Sequence, residues 1–233
     1  MTEILKAPFP YFGGKSKIAT AVWQRFGHVA NYVEPFLGSG AVLLANPYWP
    51  DMLETVNDAD GLLCNFWRAI QHDPEQVAYY ADWPVNENDL HARHYWLVQR
   101  RDSLQAKLEG DPDFYDAKAA GWWVWGICCW IGRGWCSGRG PWQAVNGEMV
   151  KVGNGAKGVP RTRPHLGNKG RGVNRTLPHL GDKGQGVHRV LSNRRVDVCA
   201  ERRAWLLEYF QKLADRFRNV RCLLYTSPSP RDS

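Results

Sequence analysis

Three things are scarce in this sequence, and each scarcity removes a class of function. No apolar run approaches the ~20 residues that a bilayer-spanning helix needs. Met1 to Pro10 also lacks the charged-then-apolar order of a secretory leader. The expectation is a cytoplasmic chain with no membrane partner. Cysteine is sparse and falls in no metal-binding pattern. The six cysteines, at positions 64, 128, 129, 136, 199 and 222, form no paired C-x-x-C spacing. A zinc site is therefore not expected, no other metal is called for, and reduced thiols are the plain reading. Acid is scarce in the last third. Residues 151–233 hold 6 Asp and Glu against 18 Lys and Arg, whereas residues 1–150 hold 17 against 12. A net charge of +7 distributed this way points to a phosphate-bearing partner, nucleic acid before any other. The competing reading is a basic, solvated tail.

What is present begins with residues 31–40, Asn-Tyr-Val-Glu-Pro-Phe-Leu-Gly-Ser-Gly. Tyr32 and Val33 are strand formers, and Glu34 falls at the strand's end. Gly38 and Gly40 follow as a turn without side chains, and a helix is expected from Ala41. Such a strand, turn and helix would let a nucleotide-like cofactor approach backbone N–H groups, with Glu34 as an acceptor for a cationic ligand group. A purely structural turn would show the same pattern.

On either side lie two further blocks. Ala7 to Lys15 is extended by two prolines and turned by Gly13-Gly14, and Lys15 leads into a helix expected over 16–26. Ser16 is the expected N-cap, Gly27 the stop, and Ile18, Val22 and Phe26 the apolar face. A Gly-Gly-Lys turn can offer an ammonium to a carboxylate or phosphate, or be an ordinary turn with a surface lysine. A second strand, Met52 to Val56, runs into Asn57-Asp58. Asp58 stands 18 residues after Gly40, about where dinucleotide-type folds place the acid that binds ribose hydroxyls. It could also be a helix cap. Asp60 caps the next helix, whose apolar stripe is Leu62, Leu63, Phe66, Trp67 and Ile70.

Three blocks together resemble the Dam-like (D12) class of bacterial and phage DNA adenine-N6 methyltransferases. They are Pro10-Tyr11-Phe12-Gly13-Gly14-Lys15, Val33 to Gly40, and Asn57-Asp58 followed by Asn65 to Ile70. The resemblance implies an α/β, Rossmann-like S-adenosylmethionine-dependent methyltransferase domain. It also implies that Tyr11, Lys15, Glu34, Phe36, Gly38, Gly40 and Asp58 bind S-adenosylmethionine. Double-stranded DNA is the implied partner, and the protein is expected to act as a monomer.

Residues 74–120 read as helical, with one helix over about 87–108 and another from about Phe114 that is rich in tryptophan and buried. A loop follows in which glycine alternates with Arg133, Trp135, Arg139 and Trp142. Residues 161–188 then repeat with a period of 14. Nine Lys and Arg against one acid over 151–189 suit a glycine-rich segment that follows DNA phosphates. The residues expected to touch DNA are Arg133, Arg139, Arg161, Arg163, Lys169, Arg171, Arg175 and Lys183. A linker without specific contacts is the competing reading. From about Arg195 to Phe217 a helix is expected again, then a core strand from Asn219. The implied organisation is a cofactor-binding part at 1–72, a helical and glycine-rich recognition insertion at 73–194, and a return to the methyltransferase domain at 195–225.

The Asp-Pro-Pro-Tyr type motif with which the family holds the target adenine does not occur. Asp73-Pro74 and Asp111-Pro112 are followed by Glu and Asp. No catalytic residue is therefore assigned. The expectation is a fragment that ends before that motif, with residues 226–233 a non-native tail. A non-catalytic nucleic-acid-binding protein is the alternative function.

Overall fold

The computed structural model describes residues 4–130, 135–136, 142–145, 148–151 and 198–222. Strand β1 (Asn31–Glu34) pairs in parallel with β2 (Leu53–Val56), Val33 opposite Thr55 and Glu34 opposite Val56. Strand β5 (Arg221–Cys222) joins the other edge of β2, also in parallel, so the order is β1-β2-β5. The expected core strand after Asn219 is thus present at its start. Strands β3 (Trp142–Val145) and β4 (Glu148–Lys151) form a separate antiparallel ribbon.

Seven helices are described: α1 (Ala19–Phe26), α2 (Ala41–Leu44), α3 (Gly61–His72), α4 (Pro74–Ala81), α5 (Glu87–Gly110), α6 (Ala117–Cys129) and α7 (Val198–Phe217). Side chains cap four of them. Asp60 accepts from the Leu62 amide at 3.0 Å, Asp73 from Gln76, Asn86 from Asn88 and Asp116 from Ala119. Asp116 also exchanges two hydrogen bonds of 2.8 Å with Asn65, which ties the start of α6 to the middle of α3.

The helix after Lys15 departs from expectation. It begins at Ala19 rather than Ser16, and Ile18 caps it without a side-chain bond. Its buried face is Ala19 and Trp23, while Ile18 and Phe26 are exposed. Ala19 and Trp23 are themselves four apart, so the period was right and the phase was not. The Trp23 indole N–H donates to the Val42 carbonyl at 2.7 Å, and this bond selects the face.

One apolar core runs from Phe9 to Val220. The α3 stripe is wholly buried, and Trp123 and Trp125 of α6 are buried as their sequence implied. Helix α7 contributes Leu206, Phe210, Leu213 and Phe217. Its arginines find buried partners. Arg216 is buried and makes two 2.6 Å bonds to Glu54 of β2. Arg202 and Arg203 both bind the buried Asp82. Buried carboxylates require such partners, and the chain supplies them from more than a hundred residues away.

Candidate cofactor cleft

The turn between β1 and α2 is the floor of a cleft of about 200 Å³ lined by residues 11–15, 36–39, 41 and 58. Parallel pairing continues beyond the strands to shape it. The Asn57 amide donates to the Glu34 carbonyl at 2.9 Å, and the Leu37 amide to the Asn57 carbonyl at 2.9 Å. Asp58 is thereby set beside the glycine turn.

Gly38 and Gly40 both have left-handed backbones, φ +55° and +68°. Glycine is required at both positions by conformation and again by space. A Cβ on Gly38 would stand 2.9 Å from the Tyr11 ring, and one on Gly40 would stand 3.1 Å from the Trp67 indole. The amides of Gly38 and Gly40 are not free donors, contrary to the expectation from sequence. Gly38 N–H donates to Asp58 Oδ2 at 2.8 Å, and Gly40 N–H to the Leu37 carbonyl at 3.0 Å. The helix that follows is a single turn. The glycines therefore supply close approach rather than an anion site.

Asp58 Oδ1 accepts the Ala59 and Asp60 amides at 2.8 and 3.2 Å. Both of its oxygens are thus fixed by backbone donors. A carboxylate has about four acceptor positions, so the three bonds leave capacity toward the cleft.

Lys15 is placed by the second block. Its ammonium lies 2.9 Å from Glu34 Oε1 and donates to the Phe36 carbonyl at 2.6 Å. The cation that Glu34 meets is therefore the chain's own. Glu34 is 4% exposed and also accepts the Tyr32 hydroxyl at 2.9 Å. Burial pushes its pKa above the ordinary carboxylate value, while Lys15 and Tyr32 pull it back. Burial likewise raises the Tyr11 hydroxyl, with the nearby Asp58 and Asp60 adding to the effect, so Tyr11 acts here as a neutral ring.

Five of the seven residues expected at a cofactor site, Tyr11, Lys15, Phe36, Gly38 and Asp58, line this one cleft. Glu34 stands behind it through Lys15, and Gly40 beneath it against Trp67. Sequence reasoning missed three contributors. Phe12 lines the cleft and is 77% exposed, close to the 73% of Phe36, so two phenyl faces are presented at its mouth. Trp67, read as a core residue, also donates its indole N–H to the Gly38 carbonyl at 3.0 Å. Phe217 of α7 stacks on Trp67, with centroids 4.4 Å apart and planes at 13°. An aromatic adjoining a glycine turn was a legible signal for Phe12. Nothing local signals Phe217.

The expected DNA contacts Arg133, Arg139, Arg161, Arg163, Lys169, Arg171, Arg175 and Lys183 lie outside the described residues, as do the repeats and the tail at 226–233. Among the described residues no group of three or more His, Cys, Asp or Glu could hold a metal ion. Cys64, Cys128, Cys129 and Cys136 are buried. No described helix is long and apolar enough to cross a membrane.

Comparison with known families agrees with the geometry. Residues 11–116 match the family model of D12 class N6 adenine-specific DNA methyltransferase. This stretch is similar to a D12 methyltransferase domain. It runs from Tyr11 of the cleft to Asp116, the cap of α6. All seven residues of the expected cofactor site fall inside it. A search of the curated proteins finds no match for the chain. DNA is the substrate of the D12 family, and its reaction is methylation of adenine at N6.

Proposed function

We propose that the cleft binds S-adenosylmethionine. The chain then forms the cofactor-binding and DNA-recognition part of a site-specific methyltransferase acting on N6 of adenine in double-stranded DNA. The fold of this reading is Rossmann-like, with residues 1–72 and 195–225 around the cofactor and 73–194 as the recognition insertion. The observation that carries the reading is the convergence at Gly38: the Tyr11 ring above it, Asp58 on its amide and Trp67 on its carbonyl. Three separated blocks meet at one backbone unit that no side chain could replace.

The residues fit the cofactor's parts. Asp58 keeps acceptor capacity for ribose hydroxyls, because its backbone donors fix both oxygens without exhausting them. Phe36 offers an exposed ring face to a purine. Gly38 and Gly40 clear the space between. Lys15 holds the Phe36 carbonyl and the Glu34 carboxylate, and so keeps the wall from closing. When bound, S-adenosylmethionine supplies an electrophilic methyl group. The part played by this chain is to hold and orient that group and to bring DNA to it.

Calorimetric titration of the whole chain with S-adenosylmethionine tests the reading. One-to-one binding that disappears in Asp58→Ala supports it. A folded chain that binds no S-adenosylmethionine overturns it. Methyl transfer to duplex DNA is then measured separately.

A further inference from the structure

Along the seam between α5 and α6, aromatic rings and cations alternate. Arg100 lies over Trp96, its guanidinium carbon 4.2 Å from the ring centroid. Lys118 lies over Trp122 at 4.5 Å and over Trp96 at 5.3 Å. Trp96 and Trp122 meet edge to face at 5.1 Å. Further along α5, Lys107 lies over Phe114 at 5.4 Å. At the inner end Arg93 is buried against Trp125 at 4.2 Å, with Trp83 and Trp122 beside it.

Arg93, Arg100 and Lys107 recur every seven residues, so they share one face of α5. Asp102 and Glu109 fall on the opposite face. Asp89 shares the cationic face, exposed one turn before the buried Arg93, on which it acts. Arg100, Lys107 and Lys118 form no ion pair among the described residues. Arg100 and Lys107 are exposed, and Lys118 is half-buried. Each cation is held against a ring on one side and open on the other. Little side-chain entropy then remains to be given up when an anion binds.

We propose that this strip is a DNA-backbone contact, separate from the basic repeats, with Arg100, Lys107 and Lys118 each meeting a phosphate. It deepens the methyltransferase reading and rests on it. From residue 100 to residue 107 the helix rises about 10 Å, the axial length of roughly three base pairs of duplex. Unpaired cations along that length complement a phosphate row. Arg93, enclosed by indoles, anchors the two helices and does not itself meet DNA.

The test is fluorescence anisotropy of a 20-base-pair duplex with the whole chain between 50 and 200 mM salt. For Arg100→Gln/Lys107→Gln/Lys118→Gln the expected plot of log affinity against log salt is shallower by about 2.7, some 0.9 for each phosphate that is no longer neutralised. S-adenosylmethionine affinity is expected to stay as in the unsubstituted chain. The charge-keeping Arg100→Lys/Lys118→Arg retains the full slope. Should the triple variant fail to fold, Lys107→Gln alone, at an exposed site, is expected to reduce the slope by about 0.9. An unchanged slope in a folded variant overturns the strip and leaves the cofactor reading standing. An unsubstituted chain that binds S-adenosylmethionine but no duplex overturns the strip and the DNA-recognition role together.

Discussion

The Asp58 carboxylate receives the Gly38 amide at 2.8 Å across 20 residues of chain. This bond joins the end of β2 to the turn after β1. It sets the Asp58 carboxylate against the opposite wall of the cleft. Asp58→Asn keeps one acceptor oxygen but places an amide among the Gly38, Ala59 and Asp60 donors. The expected loss of S-adenosylmethionine affinity is at least tenfold, about 1.4 kcal/mol. Gly38→Ala is expected to cost about 1–2 kcal/mol from the left-handed backbone alone. It also pushes Tyr11 out of the cleft, so affinity falls further than stability. Calorimetry beside a thermal melt separates the two. Equal affinity in Gly38→Ala would show that the packing of Tyr11 on Gly38 is not part of the site.

Arg216 and Glu54 form a buried pair, 4% and 2% exposed, with Asn46 donating to the same carboxylate at 2.7 Å. Arg216 also reaches the Leu43 carbonyl at 2.8 Å, so one side chain spans α7, β2 and the end of α2. Arg216→Met leaves an unpaired buried carboxylate, and a loss of about 3–5 kcal/mol is expected. The double variant Arg216→Met/Glu54→Leu is expected to recover much of it. Denaturant midpoints give the comparison. A double variant as unstable as the single one would show that the arginine acts through packing rather than charge.

Gly121 lies where α6 crosses α4. A Cβ there would stand 2.4 Å from the Tyr80 Cβ and 2.8 Å from the Val77 carbonyl oxygen. In an open helix, Gly→Ala gains about 1 kcal/mol from propensity. Here the backbone oxygen cannot yield, and overpacking costs about 1–3 kcal/mol. Net destabilisation is expected for Gly121→Ala by thermal melt. Stabilisation would mean that the two helices separate without penalty.

His94 is buried against Trp130 and Trp135, with centroids at 4.9 and 5.1 Å, and its Nδ1 has no hydrogen-bond partner among the described residues. Burial lowers its pKa from the usual 6.5, and the neighbouring His91 lowers it further. The unfolded chain therefore takes up a proton that the folded chain refuses. Stability is complete above pH 6.5 and falls as pH drops toward the folded value, by at most about 1.4 kcal/mol per pH unit. Glu34, with its raised pKa, acts in the opposite sense nearer pH 4.5. Comparing the unsubstituted chain with His94→Phe between pH 7 and pH 5 isolates the histidine. The variant is expected to lose less stability on acidification, and parallel curves would remove His94 as the cause.

The cleft's components were legible because each is a local signal. A glycine pair after a short strand, an acid at the end of the next strand and an aromatic-glycine-lysine turn are written within a few residues. The helix cap at Asp60 and the buried stripe of α3 follow from the same short-range rules, whereas α6 begins at Ala117, capped by Asp116, rather than at the expected Phe114. What periodicity could not supply was phase. Along α1 the sequence offered Ile18, Val22 and Phe26, but the Val42 carbonyl draws in Trp23 and leaves two of those three exposed.

Sequence by itself determined the blocks that line the cleft, their order and the residue types they bring to it. Tertiary structure alone decided which charges neutralise one another. Lys15 is committed to Glu34 and Phe36, Arg216 to Glu54, and Arg202 with Arg203 to Asp82. It also decided that Phe217 of α7 braces the glycine turn through Trp67. The physical reason is range. Turn conformation and capping depend on neighbours in the chain, whereas a buried charge is stable only beside its partner, and the fold alone brings that partner from far along the sequence.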